Sequence, residues 1–170
     1  QLADQGFQFK GHTDFISSLC GVKAIMGFVG AGFHVALVTH HIPLMNVSAA
    51  LSREAIHRTV HIVQRELQDR LAIQSPKIVL CGLNPHAGEE GLLGSEEQEI
   101  IIPAADQLRK QGYDVCGPIS AETAFVGMVR KEFDVLVAMY HDQALVPLKA
   151  LAFGRTVNWS MGLPIVRCSV

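Results

Sequence analysis

The chain has 170 residues, of which 49 % are apolar and 18 % are charged, and its formal net charge is −2. This length suffices for one domain with a sizeable core, and the composition is typical of a soluble globular protein. The nearly neutral charge provides no electrostatic footprint for nucleic acid or an anionic membrane surface. We therefore expect neither as a partner.

The N-terminal residues and the longest apolar stretch indicate the cellular location of the protein. Residues 1–10 are polar and lack the apolar segment of a signal peptide. Glycines, Lys23 and His34 interrupt the apolar stretch at 22–39, which favours a buried helix-loop-strand over a membrane span. These features predict a cytoplasmic protein. The absence of an initiator methionine leads us to expect a segment of a longer protein.

The cysteines are widely spaced. None of the four forms a CxxC pair, which favours buried reduced thiols over a disulfide framework or a zinc knuckle: Cys20, Cys81, Cys116 and Cys168.

Buried strands and amphipathic helices alternate along the chain. Short apolar or β-branched runs predict strands over residues 35–39, 77–81, 113–116, 134–139, 155–160 and 165–169. A helix is predicted over 51–72, and another starts at a capping box at 95–98 and ends at Gly112. This alternation predicts one α/β domain over 1–170, with a mainly parallel sheet and helices on both faces.

Histidines follow three of the predicted strands, where functional residues of open α/β sheets collect. His40 and His41 follow the first strand, His86 lies in an Asn-Pro-His-Ala-Gly-Glu segment, and His141 follows the fourth strand. Three imidazoles can bind a transition metal and leave coordination positions open. A shared metal site and scattered structural histidines both remain possible. Because His40 and His41 are adjacent, extended backbone should let only one of them reach a common metal.

Other motifs favour simpler interpretations. His57 and His61 have the spacing of an HExxH zinc helix, but Arg58 occupies the position of the catalytic Glu, so a surface helix is expected. The glycines at 27–32 do not complete GxGxxG, and those at 91–94 lack the Lys-Ser/Thr of a P-loop.

Basic residues cluster late in the chain, at Lys149, Arg155 and Arg167. Solvated surface charge is one interpretation. Lys149 and Arg167, however, lie among apolar neighbours, where an unpaired charge is costly. An oxyanion such as phosphate or carboxylate is therefore the other candidate partner.

Several segments together resemble a known family. GHTDF at 11–15, THHIPL at 39–44, NPHAGE at 84–89, MYHDQ at 139–143 and GRTVN at 154–158, followed by GLP at 162–164 and Arg167, are similar to 4-hydroxythreonine-4-phosphate dehydrogenases. The match runs in order from about Gly11 to Val170. NPHAGE and MYHDQ at this separation are its most specific parts.

The resemblance implies a set of site residues. The metal ligands would be His41, His86 and His141, and the metal would be a divalent ion such as Zn, Mg or Co. Substrate contacts would come from His12, Thr13, Lys149, Asn158 and Arg167. Either Lys149 or Asp142 would be the proton shuttle, and the sequence does not choose between them.

The resemblance also implies a reaction and an assembly. The family oxidises 4-phosphohydroxy-L-threonine with NAD or NADP and decarboxylates the product to 3-amino-2-oxopropyl phosphate, in pyridoxine 5′-phosphate biosynthesis. Its fold is similar to that of isocitrate and isopropylmalate dehydrogenases, with two α/β domains. Its homodimer shares each metal site between subunits. On this basis residues 1–170 would be the central metal- and substrate-binding domain of a longer two-domain enzyme.

The sequence departs from the family pattern in two respects. His40 replaces the usual Thr, which places a second imidazole beside the expected ligand. The segments that build the other domain are not in this sequence, which bears on nucleotide binding and activity. Alternatives are a D-threonate or D-erythronate 4-phosphate dehydrogenase, a metal-dependent hydrolase, and a truncated, non-catalytic dimerisation module.

Overall fold

A computed structural model describes residues 12–169, apart from the side chains of His12 and Asp14. The polar segment 1–10 and Gly11, which opens the first family motif, lie outside the described residues. The first half of this region contains helix α1 (His12–Cys20), strands β1 (Ile25–Gly30) and β2 (Phe33–Leu37), and helices α2 (Val47–Ala50) and α3 (Arg53–Leu71).

The second half alternates strands with helices. Strand β3 (Ile78–Cys81) leads through a turn at Pro85–Gly91 to a π-helical segment at Glu97–Ile101, which continues into α4 (Ile102–Lys110). The remaining elements are β4 (Val115–Ile119), α5 (Ala121–Val129), β5 (Val135–Ala138), α6 (His141–Ala152), β6 (Val157–Met161) and β7 (Cys168–Ser169).

Seven strands of the described region form one sheet in the order β4-β3-β5-β2-β1-β6-β7. The pairings among β4, β3, β5 and β2 are parallel, and those of β1 with β2, β1 with β6, and β6 with β7 are antiparallel. Five strands therefore point in the same direction, and β1 and β7 oppose them. The predicted mainly parallel α/β sheet is confirmed, with an antiparallel extension at one side.

Side chains alternate between two hydrophobic layers, one on each face of the sheet. On β3, Ile78 and Leu80 pack with the apolar stripes of α3 and α4, whereas Val79 and Cys81 pack with α5 and α6. Helices therefore cover both faces, as predicted. Both layers need apolar residues on the central strands, which explains why these strands have continuous apolar runs in the sequence.

The prediction of a helix-loop-strand over 22–39 is wrong, because this stretch is a β-hairpin. Gly30 of β1 pairs with Phe33 of β2, so the hairpin loop is Ala31-Gly32. Both loop residues have positive φ, 49° and 79°, as a type I′ turn requires. Gly27 allows β1 and β6 to pack closely, because a Cβ at this position would lie 2.5 Å from the Met161 Cε of β6.

The capping box predicted at 95–98 is also wrong. The π-helical segment begins at Glu97, and no side chain caps it. The Glu97 carboxylate points back into the preceding loop and accepts hydrogen bonds from the backbone N–H groups of Leu83 and Asn84. The helix start therefore lacks the predicted side-chain cap, and Glu97 stabilises the preceding loop.

Helix α3 follows its predicted pattern closely. The Ser52 hydroxyl caps its first turn by accepting from the Ala55 N–H at 3.1 Å, and Ala72 ends it in a left-handed conformation. The predicted apolar stripe is fully buried at Ile56, Val60, Val63 and Leu67, but Leu71 is 40 % exposed.

All four cysteines are free, as predicted, but they are not all buried. Cys81 is buried and Cys168 is exposed, whereas Cys20 and Cys116 are half-buried. Burial raises the pKa of the Cys81 thiol to about 12, which keeps it protonated and unreactive at neutral pH. Over residues 12–169, no helix has the length and apolarity needed to cross a membrane.

Leu67 and Leu71 provide a matched pair for testing the α3 stripe. Leu67→Ala should lower the free energy of unfolding by about 2–5 kcal/mol, because it leaves a cavity in a fully buried position. Leu71→Ala should lower it by about 1 kcal/mol or less, because this side chain is already partly solvated. Urea denaturation at fixed protein concentration measures both. Equal losses would contradict the packing described here.

Candidate active site

A cleft of about 710 Å³ opens beside α6 and brings together most of the predicted site residues. Its floor is the antiparallel part of the sheet. Phe28 of β1 is directly opposite Asn158 of β6, which in turn pairs with Ser169 of β7, so these side chains share one face. The antiparallel extension therefore serves as the base of the cleft.

One stripe of α6 forms a wall of this cleft. His141, Leu145 and Lys149 are four residues apart and line the cleft together. Arg155 and Arg167 also line it. The three basic residues that cluster late in the sequence thus lie around one cavity rather than being scattered over the surface.

His41 and His141 face each other across this cleft, with ring centroids 5.6 Å apart. His41 has a φ of +49°, a left-handed conformation that turns the chain after β2. The rings of His40 and His41 are 5.2 Å apart and both line the cleft. The expectation that these neighbours point to opposite sides is therefore wrong, because it assumed extended backbone.

Asp142 lies beside the His141 ring, with Oδ1 2.6 Å from Nδ1. A carboxylate at Nδ1 favours the tautomer whose Nε2 is an acceptor, as in carboxylate-histidine-metal arrangements. The Asp142 side chain is 75 % exposed and contributes to a second, smaller pocket next to the main cleft. Asp142 is therefore placed to orient His141.

His86 does not join His41 and His141 within the chain. It is exposed and does not line the cleft. The pKa of Glu122 is lowered mainly by a backbone hydrogen bond and by the Ser120 hydroxyl, with a smaller contribution from His86. His86 therefore lies near the start of α5. Among the residues that the structure describes, no group of three or more His, Cys, Asp or Glu could hold a metal ion.

Arg167 is held at the cleft by hydroxyl groups. Its Nη1 donates to Thr13 Oγ1 and to Ser160 Oγ, both at 3.2 Å. Within the described region no carboxylate pairs with this guanidinium. Its remaining N–H donors are available to an anion in the cleft.

Asn158 has a buried side-chain oxygen at the cleft floor. Oδ1 has no hydrogen-bond partner among the described residues, and a buried unpaired acceptor is costly. It is therefore suited to an N–H or O–H donor of a ligand. Thr13 also lines the cleft. The side chain of His12 lies outside the described part.

Two buried polar side chains fix the strand ends that carry the histidines. The Thr39 hydroxyl donates to the Met139 carbonyl at 2.7 Å, which joins the end of β2 to the end of β5. The Gln143 amide accepts from the Met139 N–H at 2.7 Å and donates to the Gly82 carbonyl at 2.6 Å. These bonds connect the three segments that lead to His41, His86 and His141.

The sequence profile of the family described as pyridoxal phosphate biosynthetic protein PdxA matches residues 1–170. This chain belongs to that family. Curated relatives from Shewanella denitrificans and Shewanella frigidimarina, both named 4-hydroxythreonine-4-phosphate dehydrogenase, are 45 % and 47 % identical to it over 166 residues. The matches cover 97 % of this chain and 51 % of each relative. The chain thus spans about half the length of the curated relatives it matches.

Solved structures show the same fold. A 4-hydroxythreonine-4-phosphate dehydrogenase from Klebsiella pneumoniae aligns with a TM-score of 0.90 at 36 % identity, over 99 % of this chain and 51 % of that one. A terephthalate 1,2-cis-dihydrodioldehydrogenase from Burkholderia xenovorans LB400 aligns with a TM-score of 0.84 at 31 % identity, over 92 % and 50 %. The motif-based resemblance to the family is confirmed. The division of the whole protein into two domains stays a prediction.

Sequence reasoning missed the residues that support the site. The sequence pattern places Ser160 in a strand and Gln143 in the MYHDQ segment, and it indicates a supporting role for neither. A glutamine four residues after a buried strand could have suggested a side-chain bond back to the strand end. The capping-box pattern at 95–98 assigns roles only to Ser95 and Gln98 and gives no sign that Glu97 binds the loop at Leu83.

Gln143→Leu tests the connection between the strand ends. The substitution keeps the volume but leaves the buried Met139 N–H and Gly82 carbonyl unpaired, so we expect the free energy of unfolding to fall by roughly 2–4 kcal/mol. Gln107→Leu, on the exposed face of α4, is the control and should change it by about 0.5 kcal/mol or less. Indistinguishable urea midpoints would argue against this role for Gln143.

Proposed function

We propose that this chain is the metal- and substrate-binding half of an NAD(P)-dependent 4-hydroxythreonine-4-phosphate dehydrogenase of pyridoxine 5′-phosphate biosynthesis. The observation that carries the proposal is the cleft beside α6, where Thr13, Lys149, Asn158 and Arg167 lie around the facing rings of His41 and His141. The names of the relatives, all dehydrogenases, support an oxidoreductase. A cytoplasmic location is part of the same proposal.

The cleft suits an anionic substrate that carries hydrogen-bond donors. Arg167 supplies positive charge for a phosphate or carboxylate, as does Lys149 while it is protonated, and an Arg fork can bind such a group through two hydrogen bonds. The unpaired Asn158 Oδ1 accepts from a substrate amine or hydroxyl. A phosphorylated amino acid with a free hydroxyl presents all these groups.

The facing histidines fit a divalent metal ion such as Zn, Mg or Co. Metal–nitrogen bonds of about 2.0–2.1 Å would place two ring centroids at most about 6.4 Å apart around one ion. The observed separation of 5.6 Å lies within this limit. His41 and His141 would hold the ion from one subunit, and His86 would come from the partner. When bound, the ion supplies a Lewis acid that polarises the reacting oxygen.

Lys149 is the better candidate for proton transfer, because Asp142 is engaged with His141 Nδ1. In its neutral form, the Lys149 amine accepts the hydroxyl proton while the hydride leaves for NAD(P). The carbon–carbon bond to the carboxylate of the resulting β-keto acid then breaks and releases CO2. The electron pair stays on the substrate, and Lys149 returns a proton to that carbon. Asp142 acts as a positioning residue for His141.

The groups that bind NAD or NADP are expected in the part of the full-length protein beyond this chain. This sequence has no GxGxxG or P-loop pattern, and the chain spans about half of its relatives. We therefore assign no nucleotide contact to the residues described here.

The alternatives differ in substrate or in class. A D-threonate or D-erythronate 4-phosphate dehydrogenase would use the same basic residues, and the dihydrodiol dehydrogenase shows that proteins with this fold are named for different substrates. A metal-dependent hydrolase is disfavoured because the relatives are named as dehydrogenases. A non-catalytic dimerisation module would leave the lining of the cleft unexplained.

The proposed sharing of the metal site between subunits predicts the effect of His86→Ala. In the full-length protein this variant should lose bound metal, whereas His61→Ala, on the exposed side of α3, should keep it. Metal content measured by elemental analysis checks both. Unchanged content in His86→Ala would exclude His86 as a ligand.

Mixing variant subunits then tests whether the ligands come from two chains. Heterodimers of His41→Ala and His86→Ala subunits would contain one intact site, so random mixing of a symmetric dimer should restore about a quarter of the sites. If all ligands came from one chain, mixing would restore none.

Arg167→Met tests anion binding in the full-length enzyme. Loss of one charge-assisted contact costs about 1.5–3 kcal/mol, which should lower kcat/KM for the phosphorylated substrate roughly ten- to a hundredfold. Affinity for NAD should be nearly unchanged. Arg130→Met, on the exposed end of α5, is the control. A variant that lost stability but kept its kinetic constants would identify Arg167 as a structural residue.

A further inference from the structure

Five successive residues in the loop after β3 adopt left-handed backbone conformations. From His86 to Glu90 the φ angles are 52°, 53°, 81°, 41° and 57°. Only Gly88 among them is a glycine. Each of the other four carries a Cβ that comes close to the following carbonyl oxygen, so this turn is unfavourable by itself. Its surroundings must therefore stabilise it.

The Glu97 carboxylate is the group that fixes the start of this turn. Oε1 accepts from the backbone N–H groups of Leu83 at 2.7 Å and Asn84 at 2.8 Å, and Oε2 accepts from Asn84 Nδ2 at 2.9 Å. The Glu97 residue is only 1 % exposed. In the described region no cation pairs with it, so the carboxylate is satisfied by neutral N–H donors of the loop.

The loop also closes around this carboxylate. A Cβ at Gly88 would lie 2.7 Å from Glu97 Oε2, and one at Gly82 would lie 3.0 Å from Oε1. Asn84 Nδ2 makes a second bond, to Glu96 Oε2 at 2.7 Å. The Glu96 Oε1 atom accepts from the Ser48 hydroxyl at 2.6 Å, which links the loop to α2. The residues just before the turn are thus bonded to Glu97, and Gly88 in its middle lies close to the same carboxylate.

We propose that Glu97 is a positioning residue that holds the left-handed turn so that the exposed His86 ring is presented to the metal site of the partner subunit. The proposal rests on the function proposed above. The turn carries a solvent-exposed imidazole, His86, at its first strained position, and a buried carboxylate bonds Leu83 and Asn84, which precede it by three and two residues. If Glu97 only stabilised the fold, the effect of its substitution on metal affinity would not depend on His86.

The test compares Glu97→Gln with Glu99→Gln in the full-length dimer. Both remove one negative charge from the same helical segment, but the Glu99 side chain is exposed and makes none of these bonds. In Glu97→Gln an amide group replaces one acceptor oxygen, so at least one loop N–H loses its partner. We expect Zn²⁺ affinity, measured by chelator competition, to fall roughly ten- to a hundredfold in Glu97→Gln. In Glu99→Gln it should change by less than about twofold.

Two further measurements separate positioning from a merely structural role. Hydrogen exchange of the Leu83 and Asn84 amides should accelerate in Glu97→Gln, while that of the β3 amides should stay slow. In a His86→Ala background, Glu97→Gln should cause no additional loss of Zn²⁺ affinity, because residues that act through one another are not additive. If Glu97→Gln does not form a folded dimer, Asn84→Ala, which removes the side-chain amide but keeps the backbone N–H that donates to Glu97, should lower the Zn²⁺ affinity in the same direction.

Three results would overturn the proposal. Equal Zn²⁺ affinities of Glu97→Gln and Glu99→Gln would do so, as would an equal loss from Glu97→Gln with and without His86. If His86→Ala itself left the affinity unchanged, the metal assignment would fail first, and the role of Glu97 with it. Failure of the function is thereby distinguished from failure of this inference.

Discussion

The site depends on the buried amide of Gln143, which joins two neighbouring strand ends. It accepts from the Met139 backbone after β5 and donates to the Gly82 backbone after β3, while Thr39 joins the end of β2 to the same Met139. The ends of parallel strands meet at one edge, but their loops can leave that edge in any direction. Fixing these three ends therefore determines where the segments that carry His41, His86 and His141 leave the sheet.

Beyond those ends, the backbone itself directs the histidines. His41 and His86 both have left-handed φ angles, 49° and 52°. Such conformations cost about 1–2 kcal/mol per residue, and they persist only where surrounding interactions compensate. One turn brings His41 toward His141 across the cleft, and the other leaves His86 exposed on a different part of the surface. The arrangement suits a site completed by a second subunit, as we propose.

The sequence by itself predicted the alternation of strands and helices, the α3 stripe, the strand ends that carry histidines and the family. These features depend on local pattern: apolar runs where a strand is covered on both faces, a 3.6-residue period where a helix packs on one side, and motifs that are contiguous in the chain. It also marked Arg167 and Lys149 as basic residues in apolar surroundings, and both line the cleft.

Only the tertiary structure decided which of these residues share a cavity. The β-hairpin at 25–37 adds an antiparallel extension, and its register places Asn158 beside Phe28 on the floor of the cleft. Glu97 binds a loop more than ten residues back in the chain, a role that the capping-box pattern does not indicate. His41 has a left-handed conformation, whereas the sequence prediction assumed extended backbone. Each outcome depends on a hydrogen bond or a contact between segments that are distant in sequence. Local patterns carry no information about such contacts, so the sequence determined the parts and the fold determined their arrangement.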